Sequence, residues 1–247
     1  MKRTITTLVL GLALVLGMHA QKTYVLLAGI ASYGTGNSDH DLTYTVKDVK
    51  ELKQVFSRQA NTTVGTITGR YVSRANIKTK AAAICKLATA NDKIVFFFSG
   101  HGGPGGIYCY GGETMRYEDL ADCFAKAKTS KIFCFIDACH SGTSMTGAAN
   151  TSNLSGKRPV FMTACRPAEV SLDMPGLNNG IFTQALLKGL RGMADADANK
   201  QVTLIELFKY IYNDVMKKTQ HFPVNHGQMH PQLIGNKALH NTVITRW

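Results

Sequence analysis

A histidine and a cysteine each follow a strongly apolar segment of this chain. His101 comes shortly after the apolar run at 93–98, and Cys139 comes shortly after the run at 131–136. Because both runs are continuous and rich in β-branched and aromatic residues, they predict buried strands of a parallel sheet. The carboxyl ends of such strands lie at one edge of the sheet, where loops open a crevice. The sequence therefore predicts a thiol nucleophile with an imidazole partner.

These two residue types fit the hydrolysis of a peptide bond. The reaction needs a nucleophile, a proton donor for the departing amine and hydrogen bonds to the developing oxyanion. Cys139 supplies the first as a thiolate, His101 supplies the second, and the backbone N–H groups of Gly102 and Cys139 supply the third. His140 competes with His101, but neighbouring side chains at a strand end point apart, which favours His101. Each residue alone is also typical of a packed thiol or a loop imidazole, and their joint placement favours catalysis.

The rest of the chain alternates strands with helices. Strands are predicted at 24–30, 66–72, 93–99, 131–136 and 159–164, and helices at 45–59, 75–90, 117–127, 181–190 and 203–218. This order predicts an α/β fold with a mostly parallel, helix-covered sheet. At 247 residues, the chain is long enough for one well-buried domain. A stretch rich in Gly, Ser, Thr and Asn predicts a flexible loop at about 142–158, between a large portion at about 21–141 and a small one at about 159–247.

The amino-terminal segment predicts export. Lys2 and Arg3 precede an apolar stretch at 8–16, and Ala20 is the small residue that a signal peptidase requires. We therefore expect a signal peptide at 1–20 and a mature domain at 21–247, located in a periplasm or outside the cell. No later stretch is long and apolar enough to predict a membrane span.

The composition of the chain limits the classes of partner and metal site that we expect. Hydrophobic residues make up 45% of the chain and charged residues 18%, which is typical of a globular protein. The net charge of +12 could attract polyanions, but no basic cluster is interleaved with aromatic residues, so we expect no nucleic-acid partner. The six cysteines form no CxxC pair, which argues against a zinc ribbon or a thioredoxin-type site. Their pairing and the oligomeric state stay open.

The segments Ser-Gly-His-Gly-Gly at 99–103 and Asp-Ala-Cys-His-Ser-Gly at 137–142 resemble a known pair of motifs. They are similar to those of the caspase-like cysteine peptidases, a clan with caspases, metacaspases, clostripain and gingipains, and most closely to bacterial metacaspases. Caspases carry Gln before Ala-Cys and a longer spacing from His to Cys, whereas Asp137 stands here. The resemblance runs from about 24 to 233. It implies a caspase-like single domain with a six-stranded sheet, helices on both faces, and a dyad of His101 and Cys139.

The resemblance also implies specificity for protein or peptide substrates with Arg or Lys at the cleavage site. In this resemblance, Asp137 and Asp48 match the acidic residues of the family's primary specificity pocket, and Ser99 matches a serine that lines the pocket. A buried carboxylate pair is costly unless a cation completes it, and a substrate guanidinium binds such groups bidentately. The alternatives are a solvated helix acid at Asp48 and a loop-structuring acid at Asp137.

Two further segments carry weaker signals. Lys157 precedes Arg158 and Pro159 just past the predicted loop, so Lys157 is the expected self-cleavage site, the alternative being an exposed basic dipeptide. The ladder Asp195, Asp197, Asn199 and Glu206 has EF-hand-like spacing, although Lys200 replaces the turn glycine.

Thr203 and Glu206 equally predict a capping box for the last helix, so a calcium site and a capped loop both stay open. The Cys-His reaction itself needs no cofactor. Four histidines near the end of the chain have no metal-pair spacing, and we expect ordinary loop histidines there. The catalytic prediction competes with two others, namely a catalytically silent caspase-fold binding module and a basic envelope-surface binding protein.

Overall fold

The computed structural model describes residues 20–34, 36, 41–103, 105–139, 158–166, 169, 179–223 and 228–247. The predicted signal peptide up to residue 19, almost all of the predicted loop, His140 and Lys157 lie outside the described residues. Within the described part, no helix has both the length and the apolar character that crossing a membrane requires.

Eleven strands are present in the described part of the chain. They are β1 (Thr23–Gly29), β2 (Thr62–Thr68), β3 (Lys93–Ser99), β4 (Gly102–Gly103), β5 (Gly106–Tyr108), β6 (Thr114–Arg116), β7 (Ile132–Asp137), β8 (Val160–Thr163), β9 (Gln201–Thr203), β10 (Gln232–Ile234) and β11 (Val243–Arg246). Six of them form the central sheet in the order β10-β8-β7-β3-β1-β2. Neighbours from β8 to β2 are parallel, and β10 is antiparallel at the edge. The prediction of a mostly parallel six-stranded α/β sheet is confirmed.

Five α-helices accompany these strands in the residues described. They are α1 (Thr45–Ser57), α2 (Arg74–Leu87), α3 (Tyr117–Asp122), α4 (Ile181–Lys188) and α5 (Leu204–Thr219). Short 3-10 helices span Gly69–Tyr71 and Lys237–Leu239, and a π-helix at Gly189–Met193 continues α4. The predicted helix at 117–127 is therefore shorter in the structure, and the one at 181–190 changes its hydrogen-bonding pattern at Gly189.

The buried strands have an apolar core on each face. In β3, Phe96 and Phe98 pack with the cluster that includes α2 and α3, whereas Val95 and Phe97 pack with α1, α4 and α5. All four side chains are at most 1% exposed. Because consecutive side chains of a strand point to opposite faces, a continuous apolar run fits a sheet covered on both sides. Helices therefore lie on both faces, as expected.

The second strand lies four residues earlier than the sequence indicates. We predicted 66–72, but β2 spans Thr62–Thr68 and pairs in parallel with β1 along its whole length. β2 is the edge strand, and Ile67 is its one buried hydrophobic side chain. Its position is therefore set by backbone pairing with β1 and not by an apolar run of its own.

Candidate active site

The register of β3 and β7 brings the two predicted motifs together. Ser99 lies opposite Asp137 at the carboxyl ends of these parallel neighbours. The backbone N–H of Gly100 donates to the carbonyl oxygen of Asp137 at 3.1 Å, which continues the pairing one step further. His101 lies two residues after Ser99, and Cys139 lies two residues after Asp137. Both therefore emerge at the same edge of the sheet, in adjacent loops.

Gly102 packs tightly against the loop that carries Cys139. A Cβ atom added to it would lie 2.8 Å from the carbonyl oxygen of Cys139 and 3.0 Å from the Cβ of Ala138. Any side chain at position 102 would thus collide with the backbone that carries the thiol. The pairing of the Gly102 and Cys139 backbone N–H groups at one oxyanion site stays a prediction.

Tyr33 holds the loop of His101 in place. The backbone N–H of His101 donates to the Tyr33 hydroxyl oxygen at 2.6 Å, and the two ring centroids lie 5.2 Å apart. Burial raises the pKa of Tyr33, the hydrogen bond from His101 opposes this, and negative charge on Cys109 or Cys139 adds to the rise. Tyr33 was not predicted, because its sequence position in the loop after β1 gives no sign of this contact.

Asp48 lies in a buried polar cluster in the first turn of α1. It is 1% exposed. Its Oδ2 accepts from the Ser99 hydroxyl at 2.8 Å, and its Oδ1 accepts from the side-chain amide of Asn179 at 2.9 Å. A solvated helix acid, the alternative for Asp48, is therefore wrong, and the structure places it with Ser99 as the resemblance implies.

Asp137 is the last residue of β7 and is also buried. Its Oδ2 accepts from the hydroxyl of Thr183 at 2.7 Å and from the Thr183 backbone N–H at 3.2 Å. Thr183 lies in the first turn of α4, where the helix dipole favours a carboxylate. Because Ser99 faces Asp137 in register and bonds to Asp48, the two carboxylates flank one serine.

Thr183 and Asn179 were both missed at the sequence level. They precede or begin α4, more than 40 residues along the chain from Asp137. Polar side chains near a helix start are ordinary caps, so no local signal separates them from any other helix start.

A buried hydrogen-bonded pair, His230 and Glu169, supports the segment after β8. His230 Nδ1 lies 2.5 Å from Glu169 Oε1, and the backbone N–H of His230 donates to the same carboxylate at 2.8 Å. The thiol of Cys165 contacts the carbonyl oxygens of Ala138 and Glu169 at 3.5 and 3.3 Å. His230 lies in a loop, as predicted, and its contacts with Glu169 help to fix the segment after β8 against the end of β7.

The ladder near the last helix folds as a capped loop. Glu206 accepts from the backbone N–H and the hydroxyl of Thr203 at 2.9 and 2.6 Å, which completes the predicted capping box. Oxygens of Asp195, Asp197 and Glu206 lie within 4.8 Å of one another. The Asn199 side chain is bonded to Asp197 and to the backbone of Gln201 instead. Calcium binding here stays a prediction.

We expect Glu206→Gln to lower the free energy of unfolding by about 1 kcal/mol at neutral pH, because it weakens the cap. Burial raises the pKa of Glu206, but the hydrogen bonds from Thr203 and Ala196 lower it by more than burial raises it. The pKa of Glu206 is therefore below its ordinary value. The ionised Glu206 therefore stabilises the folded state at pH values above the ordinary glutamate pKa. This stabilisation is lost as the pH falls through the folded-state pKa. Urea unfolding across this acid range, for wild type and variant, measures it.

The same samples test calcium. A calcium-dependent rise in the Tm of the wild type that Glu206→Gln abolishes would support a metal site in this loop. An identical Tm with and without calcium would leave the capped loop as the whole explanation.

Comparison with known proteins adds one finding. Residues 22–239 match the family model that describes the caspase domain. No curated protein matches the chain.

Proposed function

The chain belongs to the caspase domain family, and on that premise we propose that it is a cysteine endopeptidase that cleaves the peptide bond after Arg or Lys. Caspase-family membership indicates a cysteine-type peptidase in general. The observation that carries the finer proposal is the Ser99–Asp137 register, because it brings the His101 and Cys139 loops to one edge together with two buried carboxylates.

In the proposed reaction, the thiolate sulfur of Cys139 attacks the carbonyl carbon of the scissile bond. The backbone N–H groups of Gly102 and Cys139 donate to the oxyanion that forms. His101 gives its proton to the departing amine, and the C–N bond breaks to leave a thioester on Cys139. Water, deprotonated by His101, then attacks the thioester carbon, and the C–S bond breaks to release the new carboxyl end and restore the Cys139 thiolate.

Specificity comes from the carboxylates that flank Ser99. A substrate guanidinium or ammonium that enters beside Asp137 and Asp48 meets two buried acceptors, and buried carboxylates bind a cation far better than exposed ones. An aspartate side chain at the same place would face like charge in a low dielectric. We therefore propose a preference for Arg and Lys, as in bacterial metacaspases.

Export and self-cleavage complete the proposal. The signal peptide at 1–20 would direct the enzyme to a periplasm or to the outside of the cell, and Lys157 would be cut by the enzyme itself. Both features lie almost wholly outside the described residues and rest on the sequence.

The test is hydrolysis of fluorogenic peptides that end in Arg, Lys or Asp, by the purified chain under reducing conditions. We expect cleavage after Arg and Lys only. Cleavage after Asp would contradict the acidic pocket. No cleavage by folded protein would favour a catalytically silent module, and binding to anionic surfaces that is lost in moderate salt would favour an envelope-surface protein.

We expect His101→Ala to lower kcat by about 100-fold or more, since general acid–base catalysis contributes about 10²–10⁴-fold. His221→Ala is the matched control, because His221 is exposed and lies outside the site. Steady-state kinetics with an Arg peptide measures both. Equal activity of the two variants would remove His101 from the mechanism.

A further inference from the structure

A large cavity lies at the opposite end of the central strands from the candidate active site. It measures about 760 Å³, which is within the usual range for small-molecule sites. Its wall includes the first residues of β1, β2 and β3, namely Thr23, Thr62 and Lys93. Since β3 runs from Lys93 to Ser99, the cavity is about 20 Å from the active-site edge. It is therefore a separate site.

The cavity is lined by cations. Arg58, Lys93, Arg191 and Arg246 contribute to its wall, whereas no Asp or Glu among the described residues does. Arg191 has an outside partner in Glu51 at 3.5 Å. Arg246 donates to the neutral side-chain oxygen of Gln201 at 2.7 Å. The described side chains that line this cavity therefore carry a net positive charge, which attracts anions.

Lys93 is the buried member of this set. The residue is 8% exposed, and its ammonium donates to the carbonyl oxygens of Val243 and Ile244 at 2.7 and 3.5 Å. Among the described ion pairs, none involves Lys93. Burial, together with the positive charges of Arg246 and Lys131, lowers its pKa to about 8. Buried charges are normally paired, and the side chains of the described residues supply no counter-ion to Lys93.

The walls of the cavity are held by specific contacts. Gln59 exchanges two hydrogen bonds with the backbone of Arg246, at 2.8 and 2.9 Å. Thr245 donates to the carbonyl oxygen of Leu190 at 3.0 Å, which ties β11 to the π-helix that carries Arg191. The cations are thus presented by a built framework and not by loose surface side chains.

We propose that this cavity binds a small polyanion through phosphate or carboxylate groups, with Lys93 as the buried counter-charge and Arg58 and Arg246 as the outer clamp. Guanidinium groups match the oxygens of both kinds of anion bidentately, and the Lys93 ammonium adds a point charge inside the cavity.

Isothermal titration calorimetry with tripolyphosphate and with citrate tests the proposal and separates the two kinds of anion. We expect the wild type to bind at least one of them, and Lys93→Met to weaken binding about tenfold or more. Lys126→Met is the matched control, since it removes the same charge outside this cavity and should bind as the wild type does. An equal loss in both variants would mean general attraction to a basic protein and would overturn the proposal.

Proton uptake provides a second measurement that needs no variant. An anion beside Lys93 raises its pKa, so citrate binding to the wild type at about pH 8 should take up protons. The charges that act on Lys93 are those of Arg246 and Lys131, Arg58 and Arg191 line the same cavity, and the arginines stay protonated throughout. Titrations in two buffers of different ionisation enthalpy report the uptake. Binding without uptake, or no binding of either anion, would overturn the proposal.

Discussion

Cys139→Ala is expected to lower kcat/KM for an Arg peptide by about 1,000-fold or more, because no other group can form the acyl-enzyme. Alanine keeps the backbone N–H that the proposed oxyanion site uses and removes only the sulfur. The matched control is Cys123→Ala, whose thiol donates to the carbonyl oxygen of Asp119 near a different surface. Initial rates with fluorogenic Arg and Lys peptides measure both variants.

Thiol labelling gives an independent readout of the same prediction. Burial raises the pKa of Cys109 to about 12 and that of Cys123 to about 11. Burial also raises the pKa of Cys85 and Cys134. These thiols are poor nucleophiles at neutral pH. We expect an alkylating agent to modify Cys139 first and to abolish activity in step with that modification. Full activity of Cys139→Ala, or full activity after Cys139 is alkylated, would end the peptidase proposal.

Asp137→Asn is expected to lower kcat/KM for Arg and Lys peptides by about 100-fold or more, since removing one partner of a buried charge pair costs about 3–5 kcal/mol. The amide keeps the volume of the carboxyl group and can still accept from Thr183. The change therefore tests charge in the pocket more than packing. The measurement is kcat/KM of the wild type and of Asp137→Asn for peptides that differ only in the residue before the cleaved bond.

Asp92→Asn is the matched control for this second prediction. Asp92 is as well buried as Asp137, but it accepts hydrogen bonds from Lys22 and Thr89 at the other edge of the sheet. We expect Asp92→Asn to lower the free energy of unfolding. The ratio of the rate of cleavage after Arg to the rate after a neutral residue should stay unchanged. If Asp137→Asn also kept that ratio, Asp137 would not form the specificity pocket.

Several features of the fold could be predicted from the sequence. The apolar runs at 93–98 and 131–136 indicated the strands β3 and β7, and the structure places them where they were expected. Such runs are informative because a strand buried on both faces needs an apolar side chain at every position. The capping box of Thr203 and Glu206 was equally readable, since its contacts span only three residues.

Other features could not be read locally. β2 was misplaced because an edge strand is fixed by its partner. Tyr33, Asn179 and Thr183 were missed because each meets the site only after distant segments pack. The burial of Lys93 in the cavity wall could not be predicted, since a lysine at the start of a strand is normally exposed.

The sequence alone therefore determined the residue types and the strand ends that carry them, because hydrophobic periodicity and motif spacing are local properties. The tertiary structure decided which ends meet. The register that sets Ser99 against Asp137, the burial of Asp48 and the cation-lined cavity around Lys93 all arise from contacts between segments far apart in the chain. Long-range packing, and not local propensity, sets the charge environment of each site.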